Sequence, residues 1–313
     1  MSGASNRVRA VCVMGPTASG KTGLAVELAQ DLNGEIISVD SALVYRGMDI
    51  GTAKPSPTEM AGVPHHLIDT RDPANVYSAA DFRVDALHLI GEISARGHLP
   101  ILTGGTMLYF KALKHGLAIM PQANQQIRDE ISERGKALGW SVIHDDLARV
   151  DPKAAERINR NDPQRLQRAL EVYLISGKSL SEWQSEPLPA CPVDLMELAI
   201  IPPNRQMLHQ RIETRFRQML EHGLIAEVEG LYHRDDLHSG LPAIKSVGYR
   251  QVWAYLDGDI DFETMVQKAI VATRQLAKRQ YTWLRSWEDL RIIEAPLRTE
   301  ALKILGQDSI LGM

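Results

Sequence analysis

The sequence predicts an α/β fold: a parallel sheet flanked by helices, interrupted by an all-helical insertion. Short apolar runs alternate with helix-spaced leucines over residues 1–120, and a glycine-rich turn joins the first run to the first helix. Between Pro121 and about Pro192 the strand-like runs stop and only helical patterns remain. Strand–helix alternation is what a doubly wound parallel sheet requires. The expected core is therefore residues 1–120 with 193–313, and the expected insertion is 121–192. The chain has 313 residues, 44% of them hydrophobic and 24% charged, enough apolar material for a sizeable core and against global disorder.

The elements follow in order. Arg9–Met14, with Val11 and Val13, reads as a buried strand ending at Gly15. Lys21–Asn33 places Leu24, Leu28 and Leu32 at helical spacing, and Gly34 follows as the expected C-cap. Glu35–Val39 is a second strand, ending at Asp40. Ser78–Arg96 is a helix, capped by Ser78, supported in its first turn by Asp81 and closed by Gly97. Leu99–Thr103 is a third strand, followed by Gly104 and Gly105. In the insertion, Asp162–Ser176 is the clearest helix, with Leu166, Leu170 and Leu174 on one face. Strand character returns at Leu198–Ile201. Helices are then expected at Asn204–His222, Leu224–His233, Ser246–Leu256 and Asp261–Trp287, with a last strand at Arg291–Glu294.

Cys12 and Cys191 form no metal-type pair and no disulfide framework. Residues Met1–Asn6 are polar with no apolar signal region after them, and no run is long enough to span a membrane. These features point to a cytoplasmic protein without membrane contact, with a monomer as the expectation. The net charge of −4 means that any nucleic-acid contact must come from a local basic patch.

Gly15-Pro16-Thr17-Ala18-Ser19-Gly20-Lys21-Thr22 matches Gly-x4-Gly-Lys-Ser/Thr, between a strand and a helix. A chance match in a chain of this length has a probability of roughly 0.01. The motif implies a P-loop NTPase-like core that holds a polyphosphate. Inward backbone N–H groups and a helix N-terminus favour the anion, Lys21 adds a point charge, and the Thr22 hydroxyl suits Mg²⁺. Hydrolysis of ATP is not implied. The third strand ends Leu102-Thr103-Gly104-Gly105-Thr106, with no metal-directing acid. Asp40 does end a strand, which leaves a small-molecule kinase open. A nucleotide-regulated RNA-binding protein without chemistry is a further alternative; it would need no base at Asp40.

Late in the chain, Thr264–Arg285 holds Lys268, Arg274, Lys278, Arg279 and Arg285 and no acid, with Tyr281, Trp283 and Trp287 interleaved. Cations suit phosphates and aromatic faces suit bases. A basic helix with core tryptophans has the same composition. His65 and His66 are adjacent, point in different directions, and read as structural.

Several segments together resemble the bacterial tRNA dimethylallyltransferases. They are Ser38-Val39-Asp40-Ser41, Asp49-Ile50-Gly51-Thr52-Ala53-Lys54-Pro55, His65-His66-Leu67-Ile68-Asp69 and Tyr77-Ser78 with Asp81-Phe82. Further on come Gly104-Gly105-Thr106, Asn161-Asp162-Pro163, Val247-Gly248-Tyr249-Arg250-Gln251 and Ala272-Thr273-Arg274-Gln275-Leu276-Ala277-Lys278-Arg279-Gln280. They cover nearly the whole chain in the family's order. Leu43 stands where many members have Gln, and the zinc-finger extension of eukaryotic members is absent.

The resemblance implies transfer of dimethylallyl from its diphosphate to the adenosine beside the anticodon in the tRNA anticodon stem-loop. It implies Asp40 as the base, Thr106 and Arg215 as partners of diphosphate or adenosine, Gly15 to Thr22 as the diphosphate loop, and Mg²⁺ as cofactor. The residues alone leave open that Asp40 only orients Mg²⁺ or caps a turn, and that Arg215 belongs to an exposed arginine face with Arg211. For the RNA, the implied contacts are Asp40, Ser41, Ala42, Leu43 and Thr106 around the base. Lys278, Arg279, Trp283 and Arg285 serve on the last long helix. Arg128, Gln164, Arg165, Leu166, Gln167, Arg168, Lys245, Ser246, Val247, Gly248, Tyr249 and Arg250 lie elsewhere. The insertion is expected to grip the anticodon arm.

Overall fold

The structure, a computed structural model, describes residues 8–118 and 120–307. The polar stretch at residues 1–6 lies outside the described residues. The chain divides into two units, one formed by residues up to Lys114 and from Cys191, the other by His115–Ala190.

The first unit opens with β1 (Arg9–Met14), α1 (Lys21–Asp31), β2 (Gly34–Val39), α2 (Pro57–Met60), β3 (His65–His66), α3 (Ala79–Ala95), β4 (Leu99–Gly104) and α4 (Met107–His115). The second unit consists of α5 (Gln125–Leu138), α6 (Trp140–Val150), α7 (Pro152–Arg157), α8 (Pro163–Ser176) and α9 (Leu180–Ser185). The first then resumes with β5 (Asp194–Ile200), α10 (Arg205–Glu221), α11 (Leu224–Tyr232), α12 (Tyr249–Leu256), α13 (Phe262–Arg285), β6 (Arg291–Ile293) and α14 (Arg298–Gln307).

The six strands form one parallel sheet in the order β3-β2-β4-β1-β5-β6. Both faces are covered, as a parallel sheet demands. Successive side chains of β1 alternate between them: Ala10, Cys12 and Met14 join a cluster with Phe82, Phe110 and Tyr249, while Val11 and Val13 join Leu24, Leu28 and Ile293. The second unit has its own core around Ile131, Ile143, Leu147, Leu166 and Leu170.

Three expectations need correction. The left-handed residue after α1 is Asn33 (φ 49°), not Gly34, which already pairs with Leu99 in β2. Asn tolerates that conformation because its short polar side chain can bond locally. Leu174 is 54% exposed: the buried part of α8 ends at Val172. β5 begins at Asp194, opposite Arg9 of β1, earlier than its apolar end suggests.

Candidate active site

The chain turns sharply after β1. Gly20 has φ 89° and Ala18 φ 62°, so two residues of the loop lie in the left-handed region, and at Gly20 only glycine does so without strain. Such a turn places α1's N-terminus, with its unpaired N–H groups, beside the loop. The Lys21 ammonium donates to the Pro16 carbonyl at 3.3 Å. Burial pushes Lys21 down to about 8; Asp40 opposes this and Arg215 reinforces it. Lys21, Asp40 and Arg215 thus share one electrostatic neighbourhood. Thr22 is exposed one residue into the helix. The Ser19 hydroxyl is buried and has no hydrogen-bond partner among the described residues.

Asp40 stands at the carboxyl end of β2, where ligands of open α/β sheets bind. Its Oδ1 accepts from the Ala42 N–H at 2.9 Å and the Leu43 N–H at 3.4 Å. Asp40 therefore does cap a turn, and it does so with one oxygen. Among the described residues Oδ2 has no hydrogen-bond partner. Thr106, just past β4, accepts from the Ser41 N–H through Oγ1 at 3.1 Å, and its own N–H donates to the Val39 carbonyl at 3.2 Å. These two bonds tie the ends of β2 and β4 together. Arg215 on α10 is half-buried, unlike the exposed Arg211 and Arg217, so it does not belong to a solvated arginine face. Burial disfavours its charge, and Asp40 and Glu59 offset this. A cavity of about 520 Å³ is lined by Thr17, Lys21, Thr22, Asp40, Thr106 and Arg215, with Leu43 and Trp283 also in its wall.

The loop that follows is held by a residue the sequence does not single out. Glu227 on α11 accepts from three consecutive backbone N–H groups: Asp49 at 2.9 Å, Ile50 at 2.7 Å and Gly51 at 3.1 Å. It also accepts from the Tyr249 hydroxyl at 2.5 Å. Burial, with this carboxylate beside it, raises the tyrosine's pKa. Lys54 closes the same loop by pairing with Asp49 and Asp69 and donating to the Tyr45 carbonyl at 3.0 Å. His66 Nε2 lies 2.7 Å from Glu35, whose carboxylate also meets Arg96 and His98 and is held down to about 2. His65 lines the cavity.

The candidate RNA contacts sort into two groups. On α13, Lys278, Arg279, Trp283 and Arg285 are exposed. Tyr281 is buried, its hydroxyl on the Pro202 carbonyl, and Trp287 donates to Glu197 at 3.0 Å, so the interleaved aromatics reduce to Trp283. Arg274 is paired with Glu213 at 3.0 Å. Lys245 and Arg250 are exposed, and Ser246 and Val247 are half-buried in the cavity wall. Gly248 and Tyr249 are buried, which removes the Tyr249 ring as a stacking surface. Ser41, Ala42 and Leu43 line the cavity. In the second unit Gln164 and Arg165 are exposed. Leu166 is buried in this unit's core, so its side chain offers no surface. Arg128 and Arg168 converge on the fully buried Glu171 at 2.9 and 2.7 Å, and Gln167 donates to the Arg128 carbonyl and the Ser132 hydroxyl. The two arginines pair Glu171, whose buried charge would be costly unpaired, and both stay partly exposed.

Residues 43–287 match the model of the family described as IPP transferase. The full-length tRNA isopentenylpyrophosphate transferase of Bacillus halodurans is 37% identical, with 98% of this chain and 96% of that chain covered and a TM-score of 0.69. The tRNA delta(2)-isopentenylpyrophosphate transferase of Staphylococcus epidermidis is 33% identical, covering 96% and 100%, with a TM-score of 0.68. A eukaryotic dimethylallyltransferase solved acting on tRNA is 27% identical, covering 96% of this chain and 77% of that chain, with a TM-score of 0.78.

Proposed function

The chain belongs to the IPP transferase family and transfers a prenyl group to tRNA; from that premise we propose that the group is dimethylallyl, drawn from its diphosphate. Its acceptor is N6 of the adenosine on the 3′ side of the anticodon, in tRNAs reading codons that begin with U. One observation carries the site: the Asp40 carboxylate, with one oxygen unused by the protein, lines the same cavity as Lys21, Thr22 and Arg215.

The exocyclic nitrogen is a weak nucleophile because its lone pair is delocalised into the ring. Its lone pair attacks the allylic carbon, the carbon–oxygen bond breaks, and the diphosphate leaves with that electron pair. The proton from N6 passes to Asp40 Oδ2. Charge builds on the departing oxygens, where the loop N–H groups, Lys21 and Arg215 can meet it. The adenosine must leave its stack to reach Asp40, which costs a few kcal/mol and costs least in a single-stranded loop.

The residues present fit Mg²⁺. Thr22 offers a hard hydroxyl oxygen in the cavity wall beside the phosphate loop, and Asp40 is left free to act as the base. Among the described residues no three His, Cys, Asp or Glu side chains are grouped to hold a metal. Diphosphate and water would supply the other ligands, as Mg²⁺ commonly prefers. Bound there, it would neutralise charge on the leaving group.

On the RNA side, the exposed face of α13 and the Gln164–Arg165 end of α8 are the surfaces for the anticodon arm. The kinase alternative finds no support, since β4 runs into Gly104-Gly105-Thr106 with no acid to direct a metal. The same reading puts the protein in the cytoplasm as a monomer; among the described residues no helix is long and apolar enough to cross a membrane. The test is transfer of labelled dimethylallyl to unmodified tRNA with Mg²⁺ present and ATP absent. Label on the adenosine is expected; no label, with ATP consumed on a small acceptor, would replace this reading with a kinase.

A further inference from the structure

Gln280 lies on α13, directly after Lys278 and Arg279, yet its side chain points the other way and is only 7% exposed. Its Oε1 accepts from the Thr17 N–H of the phosphate loop at 2.9 Å. Its Nε2 donates to the Gly105 carbonyl beyond β4, also at 2.9 Å. A single amide therefore stitches together the phosphate loop, the turn that precedes Thr106, and the helix whose outer face carries the exposed cations.

The residue type follows from the partners. Thr17 presents a donor and Gly105 an acceptor, so the bridging group must accept on one side and donate on the other. Among side chains of this reach a neutral carboxamide does both. A carboxylate would face the Gly105 carbonyl with a second acceptor and put negative charge against the loop. The glycine is required in turn: a Cβ at Gly105 would stand 2.4 Å from Gln280 Nε2.

We propose that Gln280 is a positioning residue for the diphosphate: it sets the Thr17 peptide plane and the spacing between the phosphate loop and the Thr106 turn. It acts through the loop and touches no reacting atom. Gln280 thereby joins α13 to the phosphate loop through one side chain.

The inference rests on the prenyl-transfer reading, and the experiment separates the two. Wild type, Gln280→Met and Gln280→Glu are assayed for dimethylallyl transfer over a range of diphosphate substrate. Binding of inorganic diphosphate and of tRNA is measured alongside. Absent transfer by wild type would fail the functional reading, whereas the binding of inorganic diphosphate needs no tRNA chemistry. Removing two hydrogen bonds at about 1 kcal/mol each corresponds to roughly thirtyfold. Gln280→Met is expected to raise KM for dimethylallyl diphosphate and Kd for inorganic diphosphate by about tenfold to thirtyfold. kcat should fall less than about threefold, and tRNA affinity should hold. Gln280→Glu is expected to do worse than Met on both anion constants although it matches the native shape. Should Gln280→Met fold poorly, Gly105→Ala, which pushes the amide away, reports the same KM change. Unchanged anion constants in a folded variant, or equal effects of Met and Glu, overturn the proposal.

Discussion

The Tyr249 hydroxyl donates to the Glu227 carboxylate over 2.5 Å, and that carboxylate also receives the backbone N–H groups of Asp49, Ile50 and Gly51. Four donors from two separate segments end on one side chain. Glu227→Ala leaves all four without their acceptor; a hydrogen bond to a charged group contributes about 1.5–3 kcal/mol net, and with water reaching the donors in the vacated space a loss of roughly 3 kcal/mol is expected. Glu227→Gln keeps one acceptor oxygen and loses less. Thermal midpoints of the two variants measure this; an unchanged midpoint for Glu227→Ala would dispose of the clamp.

Asp40→Asn is expected to remove most turnover, by about a hundredfold to ten-thousandfold, the range of general-base catalysis. The turn should survive, since an amide oxygen can accept from the Ala42 N–H as the carboxylate does. tRNA affinity should therefore stay close to wild type. Single-turnover transfer separates the two effects, and full activity in the variant would end the assignment of Asp40 as base.

Lys278 and Arg279 are both exposed on α13, so their charges face solvent. Changing both to Ala is expected to weaken tRNA binding and to reduce the slope of log K against log salt by about 1.5–2, close to one unit for each phosphate no longer neutralised. Titrations at several salt concentrations give the slope. An unaltered slope would return this face of the helix to a structural role.

Lys21 is lowered from its ordinary 10.5 to about 8, chiefly by burial. In the free protein it carries its charge below about pH 8 and loses it above. Diphosphate binding needs that charge, so kcat/KM for dimethylallyl diphosphate should decline as pH rises through about 8. Once the anion is bound it favours the ammonium, so kcat should hold to higher pH. Lys21→Arg, whose charge persists, should remove the alkaline limb even if it lowers the absolute rate. A profile of kcat/KM that stays flat to about pH 10, the ordinary lysine range, in wild type would contradict the assignment.

Much of this architecture is legible in the chain itself because burial on both faces leaves a readable trace. β1, β2 and β4 are apolar runs ended by glycine or aspartate, and Ser78 with Asp81 forms a capping box that marks the start of α3. Legibility fails where a long-range partner decides. β5 carries Glu197, tolerated inside the sheet because Lys114 and Trp287 meet it, so polar residues disguise half of the strand. α4 follows the Gly104–Gly105 pair so closely that the glycines read as loop. At the site, the loop lysine and Asp40 are visible in their motifs. Glu227 and Gln280 are not, because their roles exist only once α11 and α13 have packed. Charge is also only half legible: the chain shows the cations Arg128, Arg168 and Arg274 but not their carboxylate partners Glu171 and Glu213, which are distant in sequence or hidden by burial.

The interrupted first unit has a consequence for how the chain comes off the ribosome. β1 pairs with β5 along its whole length, from Arg9 opposite Asp194 to Met14 opposite Ala199. While residues 115–190 are being made, β1 can hold β4 on one side but must wait with its other edge bare. The segment made in that interval draws its buried cluster from its own residues, near neighbours in the chain, and such local packing forms quickly. A nascent protein thus carries an unpaired, strongly apolar strand edge until β5 emerges, and over that window it is most exposed to mispairing with other chains.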